Sequence, residues 1–133
     1  MKKNKKIMKF AVLGVALSTL SLVGVSASTV SFSAKVPSFN GKATTPSALK
    51  SESGNVGYIT ITKMENEEVT FRIGPSDGKN YGANKIIHQD YINEEHRLNY
   101  KYTYGAGQSV NVQYNNHNWT NHRGQLNGTV DYK

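Results

Sequence analysis

The chain has 133 residues, no cysteine, and a formal net charge of +7 from 16 basic and 9 acidic residues. Without cysteine there is no disulfide, no thiolate nucleophile and no cysteine-ligated zinc. The charge is weak evidence for a nucleic-acid or anionic-membrane partner, because such partners need a clustered basic face and five of the lysines crowd the first nine residues.

Those first residues, MKKNKKIMK, contain no acid, and the apolar run FAVLGVALSTLSLVGV (10–25) follows, then SAST. A basic start, an apolar centre and the small-x-small triplet Val25-Ser26-Ala27 form a secretory signal, predicted to be cut after Ala27. The apolar run contains Ser18, Thr19 and Ser21 and falls short of the roughly 20 residues of a spanning helix, so no stable membrane insertion is expected after cleavage. Cleavage would leave 11 basic and 9 acidic residues, a charge of only +2. The last residues, GTVDYK, carry no sorting motif, apolar tail or basic tail. The expected localisation is secreted, with loose wall association as the variant.

Residues 28–133 suffice for one domain, a chain that buries roughly 65% of its unfolded surface around one thin core. Apolar and polar residues alternate along it, as half-buried strands require. VSFSAKV places Val30, Phe32, Ala34 and Val36 on one face. The segment 37–55 is polar, holds two of the three prolines and reads as a long loop. GYITIT sets Ile59 and Ile61 against Tyr58, Thr60 and Thr62, and EVTFRI sets Val69, Phe71 and Ile73 against Glu68, Thr70 and Arg72. The polar KMENEE between them predicts a hairpin. GPSDGKNYG (74–82) is dense in turn residues, KIIHQDY is a candidate strand, and INEEHR has room for one helical turn. LNYKYTY aligns Leu98, Tyr100, Tyr102 and Tyr104, and the turn GAGQ leads into SVNVQY with Val110, Val112 and Tyr114. QLNGTVDY closes the pattern with Leu126, Val130 and Tyr132. Seven to eight short strands at this spacing predict an all-β fold: a small antiparallel β-sandwich, or a small barrel.

The order SFSAKVP, polar linker, GYITITK, EEVTFRI and tyrosine-rich second half resembles a family of small secreted all-β proteins of Gram-positive bacteria. No activity is assigned to that family, so the resemblance implies the fold and the export only. Lactococcin-972-like bacteriocins are a further comparison, but their tryptophan–tyrosine–glycine start is absent from this chain.

The stretch NNHNWTNHRG (115–124) holds the only tryptophan, two histidines and four asparagines. Asparagine favours a turn, because its side chain bonds its own backbone and it tolerates left-handed geometry. The turn is predicted to open at Asn115 and Asn116 and to close at Arg123 and Gly124. Trp119 either plugs one end of the sandwich or forms an exposed stacking surface for a sugar or peptide, and the plug is the expectation. His117, Asn118 and His122 then become the contact groups. Tyr100, Tyr102 and Tyr104 form the second candidate, read either as cross-strand packing against Val110, Val112 and Tyr114 or as an aromatic platform for glycans.

Four imidazoles, His88, His96, His117 and His122, suit zinc or copper. His117 and His122, five apart, meet only across a loop, and no carboxylate lies inside their stretch. Neither a metal nor a cofactor is expected. Asp77, Asp90, Glu94, Glu95 and Asp131 are available carboxylates, and Glu94-Glu95-His96 is the one suggestive cluster. No nucleophile elbow, zinc-protease, phosphate-loop or dinucleotide motif occurs, so no catalytic residue is assigned. The sequence predicts a monomeric, non-catalytic domain that contacts a cell-wall glycan or a surface protein, with no nucleic-acid partner. A bacteriocin-like antimicrobial and a small secreted hydrolase are the alternatives.

Overall fold

The strand predicted just after the signal, β1 (Thr29–Lys35), runs antiparallel to the last strand, β9 (Gln125–Asp131), in unbroken register from Thr29↔Asp131 to Lys35↔Gln125. The computed structural model describes residues 29–133. The predicted signal and its cleavage point lie outside the described residues. Between these two strands lie β2 (Lys42–Thr44), β3 (Ala48–Leu49), β4 (Gly54–Met64), β5 (Glu68–Pro75), β6 (Lys85–His88), β7 (Glu95–Tyr104) and β8 (Ser109–Asn116). One sheet has the order β1-β9-β4-β7, and the other has β2-β8-β5-β6 with β3 also on β8. The two sheets remain separate, so the fold is an all-β antiparallel sandwich and not a closed barrel.

The alternation read from the sequence supplies both inner faces. Ile59, Ile61, Leu98, Leu126, Val130 and Tyr132 from the first sheet meet Val69, Phe71, Ile73, Val110, Val112 and Tyr114 from the second. Where β4 passes from Ile61↔Gly128 to Lys63↔Asn127, one extra residue enters the strand. The bulge shifts the phase, so Met64 points inward while Lys63 stays in water.

Four expectations about the connections fail. β4 and β5 do not form a hairpin: β4 pairs with β7 and β9, and β5 pairs with β6 and β8. KMENEE instead carries the chain from one sheet to the other, and Asn66 in it is buried. β7 and β8 likewise lie in opposite sheets, so GAGQ also crosses the sandwich. The predicted loop 37–55 contains β2, β3 and the start of β4, and buries Thr45 and Lys50. INEEHR forms no helical turn. Among the described residues the one 3-10 turn comes earlier, at Gln89–Tyr91, and Asn93 has a positive φ of 63°.

Candidate functional site

Trp119 does not plug the sandwich. It is 71% exposed, the most exposed large hydrophobic residue among those described. Its ring packs on Phe39, itself 42% exposed, with centroids 5.1 Å apart and planes inclined by 40°. The pair is held by the backbone: Phe39 N donates to Thr120 O over 2.5 Å. Asn116 Nδ2 donates to Thr120 Oγ1 (2.8 Å), and Asn118 N donates to Asn116 Oδ1 (3.3 Å). Phe39 sits at φ 53° in a tight turn closed by Gly41 N to Ser38 O. For a residue with a Cβ, that left-handed geometry costs about 1–2 kcal/mol. The surrounding bonds maintain it and keep the two rings on the surface.

Asn115 and Asn116 do not open the turn. They are the buried last residues of β8. On β8 the inward side chains are Val110, Val112 and Tyr114, so strand alternation turns Asn111, Gln113 and Asn115 to the outside of the sheet. Register places Arg72 opposite Gln113, and Thr70 and Lys42 on either side of Asn115. The result is a ladder of side-chain amides flanked by two cations. Arg72 Nε donates to Asn84 Oδ1 (2.7 Å) and its Nη1 to Gln113 Oε1 (3.1 Å). Tyr81 lies over Gly74, where a Cβ would fall 2.7 Å from the ring, and its hydroxyl donates to Asn111 Oδ1 (2.7 Å). Asn115 Nδ2 reaches Asn116 O (2.9 Å) and Asn40 Oδ1 (3.4 Å), while its own Oδ1 is buried without a protein partner. Asn40 follows Phe39 directly, so it joins the amide ladder to the aromatic pair.

The remaining predicted residues scatter. His117 joins the ladder through Thr70 Oγ1 (3.2 Å from its Nδ1), and Asn118 belongs to the turn that carries Trp119. His122 turns away to Glu65 O (3.2 Å). Among the described residues no three His, Asp or Glu side chains are grouped as a metal ion would need. Glu94 is exposed in a turn, Glu95 is exposed, and His96 bonds Tyr91 O (2.9 Å), which disperses the suggestive acidic cluster.

The tyrosine ladder also breaks. Two steps on β4, from Gly54 to Val56, span five on β7, from Tyr104 to Asn99. That irregularity buries Tyr100 and leaves Tyr102 53% exposed, with Tyr104 edge-on to both at 5.6 and 6.3 Å. Tyr100 donates to Tyr132 O (3.1 Å), and the buried Lys50 ammonium stands 4.5 Å above its ring. Burial drives the Tyr100 hydroxyl pKa far up and the Lys50 pKa down. The three rings meet edge to face and do not lie in one plane.

A further open groove of about 580 Å³ lies between β1 and the β2–β3 segment. Ser31, Ser33, Thr44 and Ser47 line it, with Phe32 and Tyr114 at its base. None of the candidate site residues read from the sequence lines it.

Sequence reasoning missed Phe39, Asn40, Arg72, Asn111 and Gln113, and read Asn115 as a residue of the turn and not of the strand. The signal for three of them was present, since Asn111, Gln113 and Asn115 recur every second residue opposite the apolar face of SVNVQYNN.

No family model matches the chain, and no curated protein matches it. Among solved structures it is similar to parts of infectious bursal disease virus proteins. For the VP2 subviral particle the TM-score is 0.37 at 12% identity, over 77% of this chain and 31% of the other. For the Gx strain the values are 0.34 and 10%, over 79% and 29%, and for the Gt strain 0.32 and 10%, over 79% and 30%. The chain thus spans about a third of the length of these viral chains.

Proposed function

We propose that this is an exported domain that acts by surface contact and binds a cell-surface glycan without altering it. The observation that carries the reading is the Phe39–Trp119 pair, exposed at 42% and 71% and fixed by backbone bonds. Burial is the ordinary place for a lone tryptophan; holding one in water beside a left-handed phenylalanine is a cost without local return. A sugar ring offers a flat C–H face that an indole can cover. Its hydroxyls need directional partners, and Asn40 and His117 lie one and two residues from the pair in the chain, with Asn115 bonded to Asn40. The basic and apolar start of the sequence supports the compartment.

The test is co-sedimentation of the purified protein with insoluble wall glycan. Trp119→Ala and Phe39→Ala are expected to weaken binding at least tenfold, about 1.4 kcal/mol, without changing the melting temperature. Full binding by both variants would remove the reading. Retention on protein-coated beads alone would move it to a protein partner.

A further inference from the structure

We infer that the glycan bound at this site is acidic, and that its phosphate or carboxylate group is seated on Arg72, with a ligand hydroxyl donating to Asn115. This rests on the glycan reading and specifies its ligand.

Arg72 is partly buried on the outer face of β5. Its two protein partners, Asn84 and Gln113, are both neutral amides that accept through oxygen. They fix the plane of the guanidinium without neutralising it. A guanidinium has five N–H donors, and these bonds use two, so the Nη2 edge is left to a ligand. Among the described residues Arg72 takes part in no ion pair. The acid nearest along its own strand on this face is Glu68, four residues away, which is about 13 Å in a strand. Burial lowers the Arg72 pKa, and no carboxylate acts against that shift. A preoriented, uncompensated guanidinium is the usual receptor for phosphate or carboxylate, because it can donate two parallel bonds to either. On the far side of the ladder Lys42, exposed and paired in register with Asn115, adds a second positive charge.

The second observation is independent of charge. Asn115 is 6% exposed, and its Oδ1 has no partner although its Nδ2 has two. A buried acceptor without a donor costs about 1–3 kcal/mol, and a ligand hydroxyl recovers it once the Asn115 side chain turns outward to meet it. Gln113 and Asn115 are two residues apart, about 7 Å along the strand. One ligand can therefore place an anionic group on Arg72 and a hydroxyl at Asn115. A sugar or polyol that bears an acid group has both.

Calorimetric titration would use three probes: a glucan bearing phosphate esters, polygalacturonate and an uncharged glucan of similar length. With the unaltered protein, at least one acidic polymer is expected to bind ten times or more tighter than the glucan, and raised salt should erase that margin. Whichever acidic polymer leads identifies phosphate or carboxylate as the source. Equal affinity for all three overturns the inference without recourse to any variant. Arg72→Gln is expected to remove the margin while leaving glucan binding in place, and Arg72→Lys to restore it in part. Unchanged acidic binding in a folded Arg72→Gln protein also overturns it. Trp119→Ala separates the two claims. If it abolishes glucan binding while Arg72→Gln changes nothing, the glycan site stands and the acidic ligand falls. If it changes nothing while Arg72→Gln abolishes acidic binding, the anion seat stands and the glycan reading falls.

Discussion

The main-chain amide of Gly124 donates to the Oδ1 of Asn66, 2.9 Å away and 58 positions earlier in the chain. The same Asn66 side chain donates through Nδ2 to the His122 carbonyl (3.1 Å) and is 2% exposed. One buried amide in the corner between β4 and β5 thus anchors the returning end of the loop that displays Trp119. Asn66→Ala leaves the buried Gly124 N–H unpaired and should cost about 2 kcal/mol. Chemical denaturation measures it; a change below about 0.5 kcal/mol would mean that water replaces the amide in full.

Trp119→Ala should behave in the opposite way. A ring plugged into the sandwich would cost on the order of 3 kcal/mol to remove, whereas one that is 71% exposed should change stability by less than about 0.5 kcal/mol. The same thermal melt decides between the two. A large loss would return Trp119 to the core role first expected of it.

Gly82 packs its backbone against β7, and a Cβ there would collide with the Asn99 carbonyl oxygen. Gly82 N also donates to Ile73 O (2.9 Å), so the segment cannot swing away. Gly82→Ala should destabilise by about 1–3 kcal/mol, the range for overpacking. Gly105, with nothing within 4 Å of its Cβ position, is the control, and Gly105→Ala should be close to neutral. Equal melting temperatures for the two variants would contradict the close approach.

The strands were legible because an inner face demands period-two alternation, and Val69, Phe71 and Ile73 show it without exception. Strand partners were not legible. A strand with one apolar face is equally compatible with a neighbour in its own sheet or with one across the sandwich, so β4 and β5 read as a hairpin although they lie in opposite sheets. The deciding residue, Asn66, looks like any polar turn residue until its distant partner Gly124 is known. The candidate site was half legible. NNHNWTNHRG stood out by composition, but Phe39 lay in a stretch whose short strands β2 and β3 are too brief for any periodic signal. Arg72, Gln113 and Asn115 become neighbours only once register brings them side by side.

The remaining prediction concerns alkaline pH. Tyr100 and Tyr132 are buried, with hydroxyls bonded to Tyr132 O (3.1 Å) and to Thr45 Oγ1 (2.8 Å). Burial raises both pKa values well above the ordinary 10.0. Above pH 10 the unfolded chain loses these two protons while the folded chain keeps them. The folded state then binds more protons, and stability falls as pH rises, by up to about 1.4 kcal/mol per pH unit for each tyrosine. Lys50 acts with the opposite sign. Burial lowers its pKa from 10.5, so between the lowered value and 10.5 the unfolded state binds more protons and stability rises with pH. Stability should therefore hold or climb toward pH 10 and fall steeply beyond it. Tyr132→Phe should reduce the slope above pH 10 by about half of the two-tyrosine contribution. Tyrosinate absorbance and circular dichroism recorded together provide the check, with the last absorbance step coinciding with loss of the β signal. Complete ionisation of all tyrosines near pH 10 with the β signal intact would show that Tyr100 and Tyr132 are reached by water.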